Sequence, residues 1–183
     1  MRYQPTQARK GNDDVQTPPE LAEQVAFHFL WPIMAQRIDI LEPCQGDGNF
    51  VNAIRRRLCA CWRLAAFDIK DGVDFLEGHP DSFLRDTLYA WDWIITNPPW
   101  SKIRPFLDRS MAIADNVVFL MTVNHAFTKA RIRGVAAAGF GLKEILLLDT
   151  PKKETGWPQM GFQLGAVHWQ RGYVGPVTIG SGQ

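Results

Sequence analysis

Apolar positions along the chain gather into short runs separated by longer amphipathic stretches. Residues 37–42 (RIDILE) alternate and stop at Pro43, which predicts a strand. Residues 63–67 (RLAAF), 73–76 and 91–96 (WDWIIT) predict three more, the last ended by Asn97-Pro98-Pro99. Residues 117–123 (VVFLMTV) are almost continuously apolar, as in a strand buried on both faces. Residues 143–148 and 162–170 complete seven strands. Between them the 3.6-residue period predicts helices over 49–60, 81–89, 103–114 and 128–138. A first helix is expected to open at Thr17-Pro18-Pro19-Glu20, a capping-box pattern, and to run to Trp31 ahead of Pro32. Strands alternating with helices imply an α/β fold with a mostly parallel sheet and helices on both faces. Only the loop 149–161 separates the last two strands, so the last strand is expected to be antiparallel.

Composition narrows the class. The 183 residues suit one domain, and 46% hydrophobic content supplies a core without disulfides. Twenty Lys and Arg against nineteen Asp and Glu leave a net charge of +1, which excludes a histone-like polycation but not a local basic face. No apolar run approaches the roughly 20 residues of a membrane span, and the opening MRYQPTQARKGNDD lacks the apolar stretch of a signal peptide. Cys44, Cys59 and Cys61 are odd in number and lack metal-ligand spacing, so a cytoplasmic protein with no metal and no membrane is expected.

An open α/β sheet binds ligands at the carboxyl ends of its strands. At the first end, Glu42-Pro-Cys-Gln-Gly46-Asp-Gly48 is a glycine turn leading into a helix. Val51 stands where a dinucleotide fingerprint needs its third glycine, and no Gly-Lys-Ser/Thr follows for a P-loop. An acid followed by Gly-x-Gly suits a cationic ligand with an amino-acid head, though the same turn serves as an ordinary strand–helix connection. At the second end, Asp68 is placed to accept from both hydroxyls of a ribose. Asp74 and Phe75 offer a carboxylate for an adenine amino group and an apolar wall for its ring, or are simply turn residues.

Asn97-Pro98-Pro99-Trp100 at the fourth end is the sharpest signal. Two prolines fix the backbone and remove two donors, leaving mainly acceptors. The Asn97 side-chain oxygen and the Pro98 carbonyl can take both hydrogens of a planar amino group, and Trp100 offers a face for a planar base. The bland alternative is a rigid turn with a packed Trp.

Taken in this order, the motifs resemble those of the S-adenosylmethionine-dependent amino-methyltransferases, and most closely the DNA N6-adenine methyltransferases. The resemblance implies a Rossmann-like methyltransferase fold: a mostly parallel seven-stranded sheet with an antiparallel last strand. It also implies S-adenosylmethionine as cofactor. Thr17, Pro18, Glu42, Cys44, Gly46, Gly48, Phe50, Asp68, Ile69, Asp74, Phe75 and Asn97 would hold that cofactor. Asn97, Pro98, Pro99 and Trp100 would form the catalytic motif, and Trp100, Lys102, Trp157 and Phe162 would meet the substrate. An adenine would have to be flipped out of duplex DNA to reach such a site.

The expected organisation is a flexible polar arm (1–16), one methyltransferase catalytic domain (17–172) and a tail (173–183). The family usually carries a sizeable target-recognition domain, and few residues remain here to supply one. DNA contact is therefore expected from loops carrying Arg2, Arg9, Lys10, Lys102, Arg104, Lys152 and Lys153, or from a homodimer, with low sequence selectivity. His168 and Trp169 are core candidates with a lesser claim on the site. Methylation of RNA adenine or of a protein glutamine, and a catalytically silent cofactor-binding subunit, are the competing readings.

Overall fold

The computed structural model describes residues 13–57, 63–77, 91–159 and 161–182. The helix expected over 81–89 lies outside them, as do Cys59, Cys61 and the cations Arg2, Arg9 and Lys10. The elements run α1 (Pro19–Leu30), β1 (Asp39–Glu42), α2 (Asn49–Arg55), β2 (Arg63–Ala66), β3 (Trp91–Thr96), α3 (Ile103–Ile113), β4 (Ala114–Thr122), α4 (Lys129–Ala137), β5 (Phe140–Leu148), β6 (Leu164–Arg171) and β7 (Thr178–Ser181).

They build one seven-stranded sheet in the order β2-β1-β3-β4-β6-β5-β7. All neighbours are parallel except at β6, which runs antiparallel to both β4 and β5. Strand alternation divides the core between two faces. Ile40, Ile95, Val118, Leu120 and Ala166 point to the side covered by α1 and α2. Leu41, Ile94, Val117, Phe119 and Val167 point to the side covered by α3 and α4. The apolar run in β4 is buried from Val117 to Thr122 at the centre of the sheet, as its lack of alternation requires.

The seventh strand is not the one expected. Residues 73–76 form no strand: Gly72 turns the chain at φ +82°, and the Asp74 carboxylate caps the Leu76 N–H at 2.8 Å. The edge is instead extended by β7, in the segment expected to be a tail, paired parallel with β5 from Glu144↔Thr178 to Leu147↔Ser181. The antiparallel strand is thus the sixth of seven, and not the last. Helix α1 also starts differently. Pro18 is its N-cap, no side chain caps it, and the Thr17 carbonyl accepts a bond from Asn49 Nδ2 at 2.9 Å. Among the described residues no helix is long and apolar enough to cross a membrane, and no group of three His, Cys, Asp or Glu is placed to hold a metal ion.

Candidate active site

Because β2, β1 and β3 are consecutive in the sheet, the segments leaving their carboxyl ends meet. Glu42 closes β1 fully buried. Its Oε1 accepts from the Thr96 hydroxyl at 2.6 Å and from the Cys44 N–H at 2.8 Å, while Oε2 has no partner among the described residues. Burial pushes the Glu42 carboxyl up to about 8, with the two hydrogen bonds opposing and the Asp68 charge adding, so the group is protonated at neutral pH. Burial likewise pushes the Cys44 thiol up, with Glu42 adding.

The turn that follows needs its glycines. Gly46 (φ +49°) and Gly48 (φ +78°) both lie in the left-handed region. Asp68 ties this turn to the end of β2. Its Oδ2 accepts from the Gly46 N–H and its Oδ1 from the Lys70 N–H, each at 2.9 Å, which leaves further lone pairs on both oxygens.

A cavity of about 440 Å³ opens beside these groups, lined by Cys44, Asp68, Ile69, Asp74 and Phe75 from the expected cofactor set and by Lys102. Its volume is in the range of a drug-sized ligand. Val15, Gln16, Val73 and Phe106, which carry no motif in the sequence, also line it. Phe50 and Pro18, of the expected cofactor set, do not line it. Phe50 lies in the first turn of α2 and packs into the core. Pro18 borders a separate groove of about 1240 Å³ along α1, which is larger but includes neither Asn97 nor the acids at the strand ends.

Asn97 leaves β3 with its amide orientation set. Its Nδ2 donates to the Val15 carbonyl and its Oδ1 accepts from Trp100 Nε1, both at 3.2 Å. Trp100 Nε1 is shared with the Leu120 carbonyl at 3.2 Å, and the half-buried indole meets the Trp157 ring edge-on, with centroids 6.1 Å apart. Trp157, expected on a DNA-contacting loop, is 3% exposed and belongs to the core. Phe162 is exposed, at 56%. His168 is buried beside Trp93 and Phe29, with Nε2 3.0 Å from Asn116 Oδ1, and burial drives it down to about 3, so it is a neutral core side chain.

The segment expected to be a free arm is, over residues 13–16, fastened across this region. Asp13 bonds the Ser101 N–H and hydroxyl, Asp14 pairs with Lys70 at 2.6 Å, and Gln16 Oε1 accepts from the Asp47 N–H at 2.9 Å. A Cβ on Gly46 would fall 2.1 Å from that same oxygen, so the Gln16 carboxamide occupies the concavity of the glycine turn. Over Asn97, Pro98 and Trp100 the remaining depression holds about 10 Å³, room for about one water. Thr96, one residue before Asn97, reads in the sequence only as the end of a strand, and its hydroxyl is what meets Glu42.

No protein-family model matches the chain, and no curated protein resembles it in sequence. Solved structures do resemble it. A putative class I S-adenosylmethionine-dependent methyltransferase from Listeria monocytogenes superposes with a TM-score of 0.64 at 14% identity, over 96% of this chain and 68% of that one. A type I restriction-modification methyltransferase subunit from Streptococcus thermophilus gives 0.61 at 13% identity, over 88% of this chain and 46% of that one. A putative RNA methyltransferase from Pyrococcus horikoshii gives 0.54 at 12% identity, over 80% and 83%. At such identities the likeness establishes architecture: the chain has the Rossmann-like fold of the class I methyltransferases.

Proposed function

We propose that the protein transfers a methyl group from S-adenosylmethionine to the exocyclic N6 amine of adenine in DNA. The observation that carries this reading is Asn97-Pro98-Pro99-Trp100 at the end of β3, beside a cavity lined by Asp68, Asp74 and Phe75. The residues present fit the cofactor. Asp68 has lone pairs for ribose hydroxyls, Phe75 supplies an apolar wall and Asp74 an acceptor for an adenine amino group. In the positive-φ turn at Gly46 and Gly48, the Asp47 N–H now held by Gln16 Oε1 is the donor that a cofactor carboxylate would take over from that side chain, and the unpartnered Glu42 Oε2 lies at the root of the turn.

When bound, S-adenosylmethionine supplies an electrophilic methyl group on a positively charged sulfur. The chain's own residues orient the nucleophile. Asn97 Oδ1 and the Pro98 carbonyl accept the two hydrogens of the amine, drawing its lone pair out of conjugation and holding it in line. Trp100 gives the base a stacking face, worth roughly 1–3 kcal/mol. The surplus proton of the methylated amine passes to solvent. Since the depression over Asn97 has room for about one water, residues 13–15 move aside when a base enters.

The test is transfer of labelled methyl from the cofactor to DNA, with nucleoside analysis of the product. N6-methyladenine is expected, and Asn97→Ala abolishes it while cofactor affinity persists. Label appearing in RNA or protein with DNA unmarked, or cofactor binding with no transfer at all, overturns the proposal.

A further inference from the structure

Charge along the chain is near balance overall but not locally. From residue 116 to 143 there is no Asp or Glu, while Lys129, Arg131, Arg133 and Lys143 all fall within that stretch. Three of these cations lie on α4, and α4 is unusual in its packing. Val135 is its one buried residue, Ile132 is 54% exposed, and Phe127 just ahead of the helix is 50% exposed. Apart from Ile132, the exposed surface of this helix is cationic or small.

The neighbouring helix adds to the same face. Arg104 in the first turn of α3 and Arg131 border a small cleft between the two helices, together with Asp108 and Thr128. Burial lowers the Arg131 guanidinium, Asp108 opposes this, and the like charge of Arg104 adds to the lowering. The one acid in the cleft, Asp108, is engaged by Arg104 at 3.8 Å. Arg131 Nε has no hydrogen-bond partner, and among the described residues Lys102, Lys129, Arg131 and Arg133 make no ion pair. Two guanidiniums sharing a single carboxylate, flanked by cations that make no ion pair, complement a polyanion.

Position ties this face to the chemistry. Asn97 follows the end of β3, and the loop leading into α4 follows the end of β4, the parallel neighbour of β3. Trp100 is bonded to Leu120 on β4, and α3 begins directly after the Asn-Pro-Pro-Trp motif. The basic face therefore starts at the rim of the candidate active site and leads away from it across α3 and α4.

We propose that this face is the docking surface for the DNA backbone. Lys129 and Arg133, one turn apart on the exposed side of α4, meet phosphates; Arg104 and Arg131 flank them; and Phe127 covers a sugar or an unstacked base. The proposal rests on the DNA reading above and adds where the substrate is held. It assigns backbone contact, not base reading, to this face.

The test compares the wild type with Lys129→Ala/Arg133→Ala in binding a 30-base-pair DNA duplex over a series of KCl concentrations. A control, Arg37→Ala/Arg55→Ala, removes two exposed cations away from α3 and α4. Each lost phosphate contact flattens the slope of log affinity against log salt by about 0.9, so the α4 variant is expected to lose about 1.8 from its slope. The control is expected to keep the wild-type slope, and both variants to keep cofactor affinity by calorimetry. An unchanged slope in the α4 variant overturns the proposal, as does an equal loss in the control. So does a loss seen only on phosphatidylserine vesicles. If the α4 variant loses DNA affinity as expected but the wild type methylates no DNA, the docking surface stands and the proposed activity falls. If the wild type methylates DNA and the slopes coincide, the reverse holds.

Discussion

Replacing Glu42 by Gln keeps the shape of a buried side chain and removes its ability to ionise. Glu42 is fully buried, and its carboxyl is pushed from the ordinary 4.5 up to about 8, chiefly by loss of solvent. Between those values the unfolded chain has given up this proton and the folded chain has kept it, so folding binds a proton and stability falls as pH rises. His168, driven down to about 3 by burial, acts with the opposite sign. Its contribution is complete above 6.5 and is lost as pH falls toward 3. His125, lowered by burial and by Arg131, acts in the same direction as His168. Among the described residues with shifted titrations, Glu42 alone therefore governs the window from about pH 6.5 to 8. One pH unit of such a mismatch costs roughly 1–1.5 kcal/mol, and the approach to the folded value tapers it, so the window loses roughly 1.5–2 kcal/mol. For a chain of this size that is a fall of about 3–8 °C in Tm. Thermal denaturation at half-unit pH steps should show this fall in the wild type, a nearly flat profile in Glu42→Gln, and a variant more stable than wild type above pH 8. The bonds from Thr96 and Cys44 survive the change, since the Gln oxygen accepts both. If the two proteins lose stability in parallel across the window, the buried protonated carboxyl is wrong.

Two further substitutions probe the supports of the site. Gly48→Ala places a Cβ in open space, 3.9 Å from its nearest contact at Asn52, so its cost is the left-handed backbone alone, roughly 1–2 kcal/mol by urea denaturation; a neutral result would mean that the turn adopts another conformation. Trp157→Ala empties a site that is 3% exposed and unseats the edge contact to Trp100, for a loss of about 3–5 kcal/mol; a loss under about 1 kcal/mol would mean that Trp157 does not support Trp100.

The strand ends were legible because their signals are local. Glu42 ahead of a glycine turn, Asp68 closing a short apolar run, and Asn97 ahead of two prolines each announce a position through immediate neighbours. The parallel sheet then brings them side by side without further information. Sequence alone went astray where long-range contacts decide. Thr178–Ser181 is short, exposed and bounded by Gly and Pro, and becomes a strand only because β5 offers an unpaired edge. Residues 73–76 have strand-forming composition, but Gly72 and the Asp74 cap bend them into a turn. Trp157 lies in a polar stretch that gives no sign of folding under Trp100. The strap at 13–16 has partners from 31 to 88 positions away, beyond any window that periodicity can examine.

That strap has a thermodynamic consequence. Gln16 fills the concavity of the glycine turn, and one residue earlier the Val15 carbonyl holds the Asn97 amide. A single short stretch of backbone is thus a wall common to the cavity of about 440 Å³ and to the depression over Asn97, the places proposed for the cofactor and for the target amine. Displacing it from one side alters what the other side meets, so the two binding equilibria are linked, and linkage is reciprocal: whatever factor the cofactor imposes on affinity for the base, the base imposes on affinity for the cofactor. The contacts of Asp13 with Ser101, Asp14 with Lys70, Val15 with Asn97 and Gln16 with Asp47 together set the free energy that either ligand must overcome to move it.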